Sequence, residues 1–423
     1  MKEDFLHYLW KFQKFSTVNL FTSDIKPIKV LQVGHHNQDA GPDFLLAHVE
    51  IDGQLWVGNI EIHIRSSDWY AHQHEKDSNY DNVILHVVWE YDVAIFRNDN
   101  SVLPTMEVKD IVEQRTLLQY CQLFSKTKQF IPCENDFGKV DDFILQSWFW
   151  RLFVERLQKK TTLILQELSE TQNNWEAVMF YMLSKNFGLK LNADSFYSVA
   201  KSIDYAIIKK CGGNLLKLEA LLFGQAGLLE VEKGGRYFGL LKDSYEYSKT
   251  MYKISNVGVI PSKFFRLRPP NFPTIRLSQL ATLWSSNPHL FSKMMEATTK
   301  EEFYDLFNVA ASEYWDAHYN FEITSTKRKK SITKGLVDLF IINTIIPLKF
   351  AFATQQGRDI TEELIDLALS LPIENNRTIT KFQALRTIEN SAWHSQALLQ
   401  LKNEYCNKYR CMQCEVGNFI LKS

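Results

Sequence analysis

Apolar and polar positions change rhythm near residue 110. Upstream, strand-like alternation dominates after one short helical stretch; downstream, 3.6-residue spacing takes over. Phe5, Leu6, Leu9, Trp10 and Phe12 predict an amphipathic helix within residues 1–15. Residues 28–34 read as a strand closed by Gly34. Strand Phe44–Ile51 leads into Asp52-Gly53, a strong hairpin signal, and Leu55–Arg65 returns from it. In Ile60–Arg65 the isoleucines face a core, and Glu61, His63 and Arg65 share the other face. Val83–Trp89 predicts a further apolar strand, with short ones at Ile95–Phe96 and Thr105–Val108. Helical periods follow at 112–126, 141–168, 173–186, 193–210, 214–229, 276–284, 289–296, 300–318, 332–353, 360–370 and 380–402. The break Phe130–Gly138 separates the two textures. The expected class is α+β: an N-terminal α/β mixed-sheet domain over 1–128, then a mainly α-helical domain over 129–423. Trp148, Phe149 and Trp150, like Met179–Met182, fall on helical periods and are expected in the core.

Composition adds exclusions. The chain has 423 residues, 45% of them hydrophobic and 23% charged, a usual mix for a folded chain of two or three domains. A net charge of −1 gives no global attraction to nucleic acid, so such binding needs a local basic face. The N-terminus carries acids and lacks an apolar h-region, which argues against a signal peptide. The most apolar stretch, Leu336–Phe352, is broken by Asp338, Asn343, Thr344, Pro347 and Lys349, and reads as a buried helix, not a membrane span. Six cysteines, three of them near the C-terminus, make no disulfide framework. A reducing cytoplasm is the expected compartment.

Candidate chemistry gathers on the hairpin. His35, His36, His48, His63, His72, His74 and His86 are seven of the chain's eleven histidines. A two-residue Asp52-Gly53 turn sets Asp43 opposite Ile62; a three-residue loop sets it opposite His63 and puts Asp43, Glu61 and His63 on one face. The second register is preferred, with a bend at Gly41-Pro42 as the rescue of the first. Two carboxylates this close repel unless a cation lies between them, and Mg²⁺ or Mn²⁺ suits such a site.

Pro42-Asp43 followed by Glu61-x-His63 resembles the signature of the PD-(D/E)XK nuclease superfamily. The resemblance implies a core of helix–strand–strand–strand–helix–strand, with Asp43 and Glu61 as metal ligands and Glu3 of the first helix assisting. His63 stands where that superfamily has a lysine. Over the whole chain, the stretches DAGPDF, GNIEIHIRSSDW and YDNVILHVVWE and the terminal Cys-x-x-Cys with a following Gly resemble an uncharacterised bacterial family whose activity is unknown.

Further ligands are available. His72-x-His74 suits Zn²⁺ or Mn²⁺ and, joined to Asp43 and Glu61, would make a mixed nitrogen–oxygen centre. His86, inside an apolar strand, reads as a core histidine. Cys406-x4-Cys411-x2-Cys414 has thiolate ligand spacing for Zn²⁺, or for an iron–sulfur cluster, with Cys133 or His394 as fourth ligand. Arg65, Arg266, Arg268 and Arg276 are candidate phosphate contacts, the last three around a Pro- and Phe-rich loop. The expectation is a metal-dependent phosphodiesterase or nuclease acting on DNA or RNA, with Asp43, Glu61 and His63 catalytic. The alternatives are a metallohydrolase of small phosphoesters and a non-catalytic helical binding protein.

Overall fold

The computed structural model of the chain describes residues 1–37, 40–124, 129–230 and 233–422. It contains two compact units. The first comprises residues 1–148, 384–386 and 401–423; the second comprises 149–383 and 387–400.

The first unit is built on a mixed sheet. Helix α1 (Glu3–Lys11) buries Phe5, Leu6, Leu9 and Trp10, the stripe its spacing predicts. The strands are β1 (Leu20–Phe21), β2 (Pro27–Gln32), β3 (His35–His36), β4 (Phe44–Ile51), β5 (Gln54–Arg65), β6 (Val83–Glu90) and β7 (Thr105–Glu107). They lie in the order β1-β2-β4-β5-β6-β7, with β3 also paired to β4. Pairing is antiparallel from β1 to β5 and parallel between β5 and β6 and between β6 and β7. A short helix α2 (Asp68–Ala71) lies on the crossover from β5 to β6. Every residue of β6 from Val83 to Val88 is buried, as a strand covered on both faces requires. Gly58 permits the close β5–β6 approach there, since a Cβ would lie 2.4 Å from Ile84 Cγ2. Helix α3 (Gln114–Leu123) follows the sheet; residues 125 and 126 of the predicted 112–126 helix lie outside the described residues.

Among the described residues the second unit is mainly helical and carries a two-stranded ribbon, His318–Asn320 with Ile323–Thr324. Several predicted helices are divided. The 193–210 stretch forms Leu189–Lys201 and Tyr205–Cys211, and 300–318 stops at Leu306. The 380–402 stretch is broken between Leu385 and Ala392. Among the described helices of this unit, Arg236–Tyr252 was not predicted. It buries only Phe238, Leu241, Tyr245 and Ser248, a stripe too narrow and too polar to stand out. Its packing depends on Gly224, where a Cβ would sit 2.1 Å from the Tyr245 ring. The segment Lys334–Gln355 is long and apolar enough to cross a membrane, and most of it is buried within this unit. It passes through a π turn at Ile341–Ile345 just before Pro347, which has no N–H to give the ladder. Trp148 and Phe149 are buried, but Trp150 is 49% exposed, because two residues further round a helix face away.

Candidate metal centre

The β4–β5 hairpin turns through Asp52 and Gly53, both at positive φ, and Ile51 pairs with Gln54. The two-residue turn is therefore the one adopted, not the preferred three-residue loop. Pairing holds that register to Ala47–Gly58, then slips so that Phe44 faces Ile60. The slip is a bulge at Leu46, which takes φ 56° and whose N–H donates to Asn59 Oδ1 (3.3 Å). One extra residue turns Asp43 onto the face of Glu61; Gly41-Pro42 is not what reorients it. The two acids are then interlocked through the backbone. Ile62 N–H donates to Asp43 Oδ2 (2.9 Å), and Asp43 N–H donates to Glu61 Oε2 (3.3 Å).

This polar face is roofed, not solvated. Glu61 and His63 are 5% and 2% exposed. The roof is the β5–β6 crossover, which is anchored twice. The Ser66 hydroxyl donates to Asp92 Oδ1 (2.8 Å) and accepts from the Asp92 and Val93 N–H groups. Trp69 packs among Val83, Ile95 and Leu103. His72 closes α2, Gln73 takes a left-handed turn, and His74 starts the next turn. Both rings thereby return to the strand. His63 Nε2 lies 3.0 Å from His72 Nδ1, and His74 Nε2 lies 3.3 Å from Glu61 Oε1. His63 Nε2 is 3.5 Å from the same oxygen. His63, His72 and His74 each offer one ligand atom within 4.8 Å of the other two. Tyr80 stacks on His74 at 3.8 Å and limits its swing. His72 is the exposed member and marks the open side.

Electrostatics follow from burial. Glu61 is pushed up to about 9, first by burial and then by the Asp43 charge. His63 is pushed down to about 3 by burial and by the neighbouring rings of His74 and His72. It is therefore neutral and only weakly basic, which suits a nitrogen ligand better than a proton acceptor. His86 is buried in β6 beside Glu61, and its Nε2 lies 2.8 Å from His63 Nδ1. Its Nδ1 has no partner, so it is less fully satisfied than a core histidine usually is. The buried Nε2 atoms of His74 and His7 face the Glu61 and Asp43 carboxylates at ion-pair distance without making a well-formed hydrogen bond. A buried acid, the low-basicity imidazole of His63 and loosely satisfied ring nitrogens form a donor set of the kind that suits a divalent cation.

Helix α1 supplies a residue that sequence reasoning missed. His7 Nε2 lies 3.4 Å from Asp43 Oδ1. Burial opposes the charged His7 ring, but the Asp43 contact, with Asp4 and Glu3, holds its pKa above normal. Glu3, one turn earlier, is raised by burial and feels His72, His7 and Asp43. The legible signal was the spacing: Glu3 and His7 are four apart and share a helix face.

The remaining candidates lie elsewhere. Arg65 is exposed at the end of β5, and its N–H donates to Asp68 Oδ2 (2.9 Å). Arg266, Arg268 and Arg276 belong to the second unit. Arg276 does not suit a phosphate contact: it is 7% exposed, donates to Gln279 Oε1 (2.7 Å) and Asn271 Oδ1 (2.5 Å), and braces the Pro-rich loop. Arg266 and Arg268 are exposed. Cys406, Cys411 and Cys414 are buried free thiols of the first unit. Among the described residues no three sulfurs are drawn within 4.8 Å, wider than a zinc knuckle requires. His394 lies in the second unit with its Nδ1 2.8 Å from Ser391 Oγ.

No curated protein matches this chain, and no solved structure does. One family model does match, over residues 3–377, so it includes the whole Asp43–His86 region and stops before the cysteine segment. By that match the chain belongs to the family of proteins of unknown function DUF2851.

Proposed function

We propose that the first unit is a metal-dependent hydrolase of phosphodiesters, with nucleic acid as the substrate class. The observation that carries this reading is the elevated Glu61, buried against Asp43 with the His63 and His74 rings at its Oε1 and His72 beside His63. Asp43 and Glu61, with His63, His72 and His74, are the residues that would hold the ion. The imidazoles favour Mn²⁺ or Zn²⁺ over Mg²⁺. A divalent cation in such a site polarises a phosphoryl oxygen and lowers the pKa of bound water. The chain's own residues supply the rest. His63 and His74 orient Glu61, and His7 holds Asp43. The order α1–β2–β4–β5–α2–β6, with three antiparallel strands and β6 parallel to β5, supports the likeness to the PD-(D/E)XK core.

The histidine trio favours a second reading, a metallohydrolase of small phosphoesters. Calorimetric titration with Mn²⁺, Zn²⁺ and Mg²⁺ is expected to show binding that Asp43→Ala weakens at least tenfold. Equal and negligible binding in both proteins would leave a non-catalytic scaffold. Assays of plasmid and single-stranded DNA and RNA beside an aryl phosphate separate the two hydrolase readings; cleavage of the aryl phosphate alone selects the second.

A further inference from the structure

Four cysteines from two distant stretches of the chain converge inside the first unit, away from the Asp43 centre. Cys133 sits in the irregular segment after α3, and Cys406, Cys411 and Cys414 come from the C-terminal stretch. All four are buried free thiols, and all four line one small pocket with Leu123, Pro132 and Tyr405.

The local structure holds them there. The Lys402 ammonium donates to Phe130 O (2.6 Å) and lies 4.8 Å from the Phe130 ring, tying the Cys133 segment to the stretch that leads into Cys406. Cys414 N–H donates to Cys411 O (3.2 Å), closing a Cys-x-x-Cys turn. The C-terminal helix Glu415–Lys422 starts at the next residue, and the N–H groups of Val416 and Gly417 aim at the Cys414 thiol. Gly417 makes this possible, because a Cβ would lie 2.1 Å from the Cys411 carbonyl oxygen. The glycine after the Cys-x-x-Cys thus belongs to the architecture of the pocket.

Spacing decides between metals. Four thiolates on one zinc, with Zn–S about 2.3 Å, stand roughly 3.8 Å apart. Four thiolates on the corners of a cubane stand roughly 6 Å apart, because the iron atoms themselves are separated. Here the thiols line one pocket, and among the described residues no three of them gather within 4.8 Å of one another, a looser set than a single zinc ion draws in. We infer that Cys133, Cys406, Cys411 and Cys414 hold a [4Fe–4S] cluster that pins the C-terminal segment to the first unit. The backbone donors to Cys414 are of the kind that tune such clusters. This inference is independent of the hydrolase reading.

The test is metal analysis of the full chain purified without oxygen from iron-replete cells. Wild type is expected to carry about four iron and four acid-labile sulfide per chain, with a broad absorption near 400 nm that dithionite bleaches. Cys133→Ser, remote in sequence from the other three, is expected to lose more than half of the iron, and exposed Cys121→Ser to keep it. Wild type with zinc and no sulfide, wild type with no metal, or full iron in Cys133→Ser would each overturn the proposal.

Discussion

Glu61 is the residue on which the centre turns. Its folded pKa of about 9 lies above the ordinary 4.5. Between those values the ion-free folded protein keeps a proton that the unfolded chain releases, so its stability falls as pH rises through that window. A bound cation replaces the proton, so ligand-linked stabilisation grows over the same range. The melting temperature gained from saturating Mn²⁺ is therefore expected to be larger at pH 8.5 than at pH 6. Calorimetry in two buffers should show about one proton released per ion. Equal gains at both pH values would remove Glu61 as a ligand. His63 works with the opposite sign. Its ring is neutral down to about 3 in the folded protein, so its share of stability is present above 6.5 and lost as pH falls below that. His86 gives a second expectation. If His63 binds an ion through Nε2, its Nδ1–H donates to His86 Nε2. His86→Phe removes that acceptor and is expected to weaken Mn²⁺ binding about 10–100-fold while the far-ultraviolet spectrum stays unchanged. At this scale the sequence was informative about identity and poor about partnership. Alternation placed Glu61 and His63 on one face of β5, but that face looked equally suited to solvent. Only the crossover that folds His72, His74 and Trp69 over it makes it an interior. His7 escaped notice because it is separated from the other histidines along the chain, although α1 delivers it to Asp43.

Among the elements, the bulge in β4 does the positioning. A strand without it would carry the register of the Asp52-Gly53 turn to its end and point Asp43 to the opposite face. Leu46 is 61% exposed, so its side chain contributes little packing. Deleting residue 46 is therefore expected to leave a folded sheet and to abolish Mn²⁺ binding, read by calorimetry beside circular dichroism. Leu46→Gly keeps the extra residue, relieves the positive φ and is expected to retain binding, with stability unchanged or raised by up to about 1 kcal/mol. The long strands were legible, β4 standing at Phe44–Ile51 as its alternation predicts, but the expected strand Ile95–Phe96 is only an isolated bridge and the two-residue strands β1 and β3 gave no signal. Bulges were not legible, because nothing in Phe44-Leu45-Leu46-Ala47 distinguishes an extra residue from a regular one. Helix ends were blurred for a similar reason. The break at Ser202–Asp204 ends on a local cap, the Asp204 carboxylate accepting from Ala206 N–H, and Arg386–Ser391 likewise interrupts a continuous apolar period.

Across the whole molecule, the first unit is discontinuous in sequence. Residues 401–423 belong with residues 1–148, a return that periodicity alone does not reveal. The contacts are specific. The Lys422 ammonium lies 4.2 Å from the Phe12 ring beside the end of α1, and Tyr405 packs edge-on to Trp148 at 5.1 Å. Removing residues 401–423 is expected to strip hydrogen-exchange protection from α1 and α3 before the rest of the first unit, and to lower Mn²⁺ affinity because α1 carries Glu3 and His7. Protection in α1 that survives the truncation would show that the tail is ornamental.

That discontinuity also imposes a schedule. The helix that carries Glu3 and His7 leaves the ribosome hundreds of residues ahead of the segment that buttresses it. At about 5–20 residues per second this is a delay of roughly 20–80 s. Through that interval the Asp43–Glu61 face is half built, and a chain stalled in mid-translation holds every candidate ligand of the β-ribbon yet lacks the clasp that steadies them.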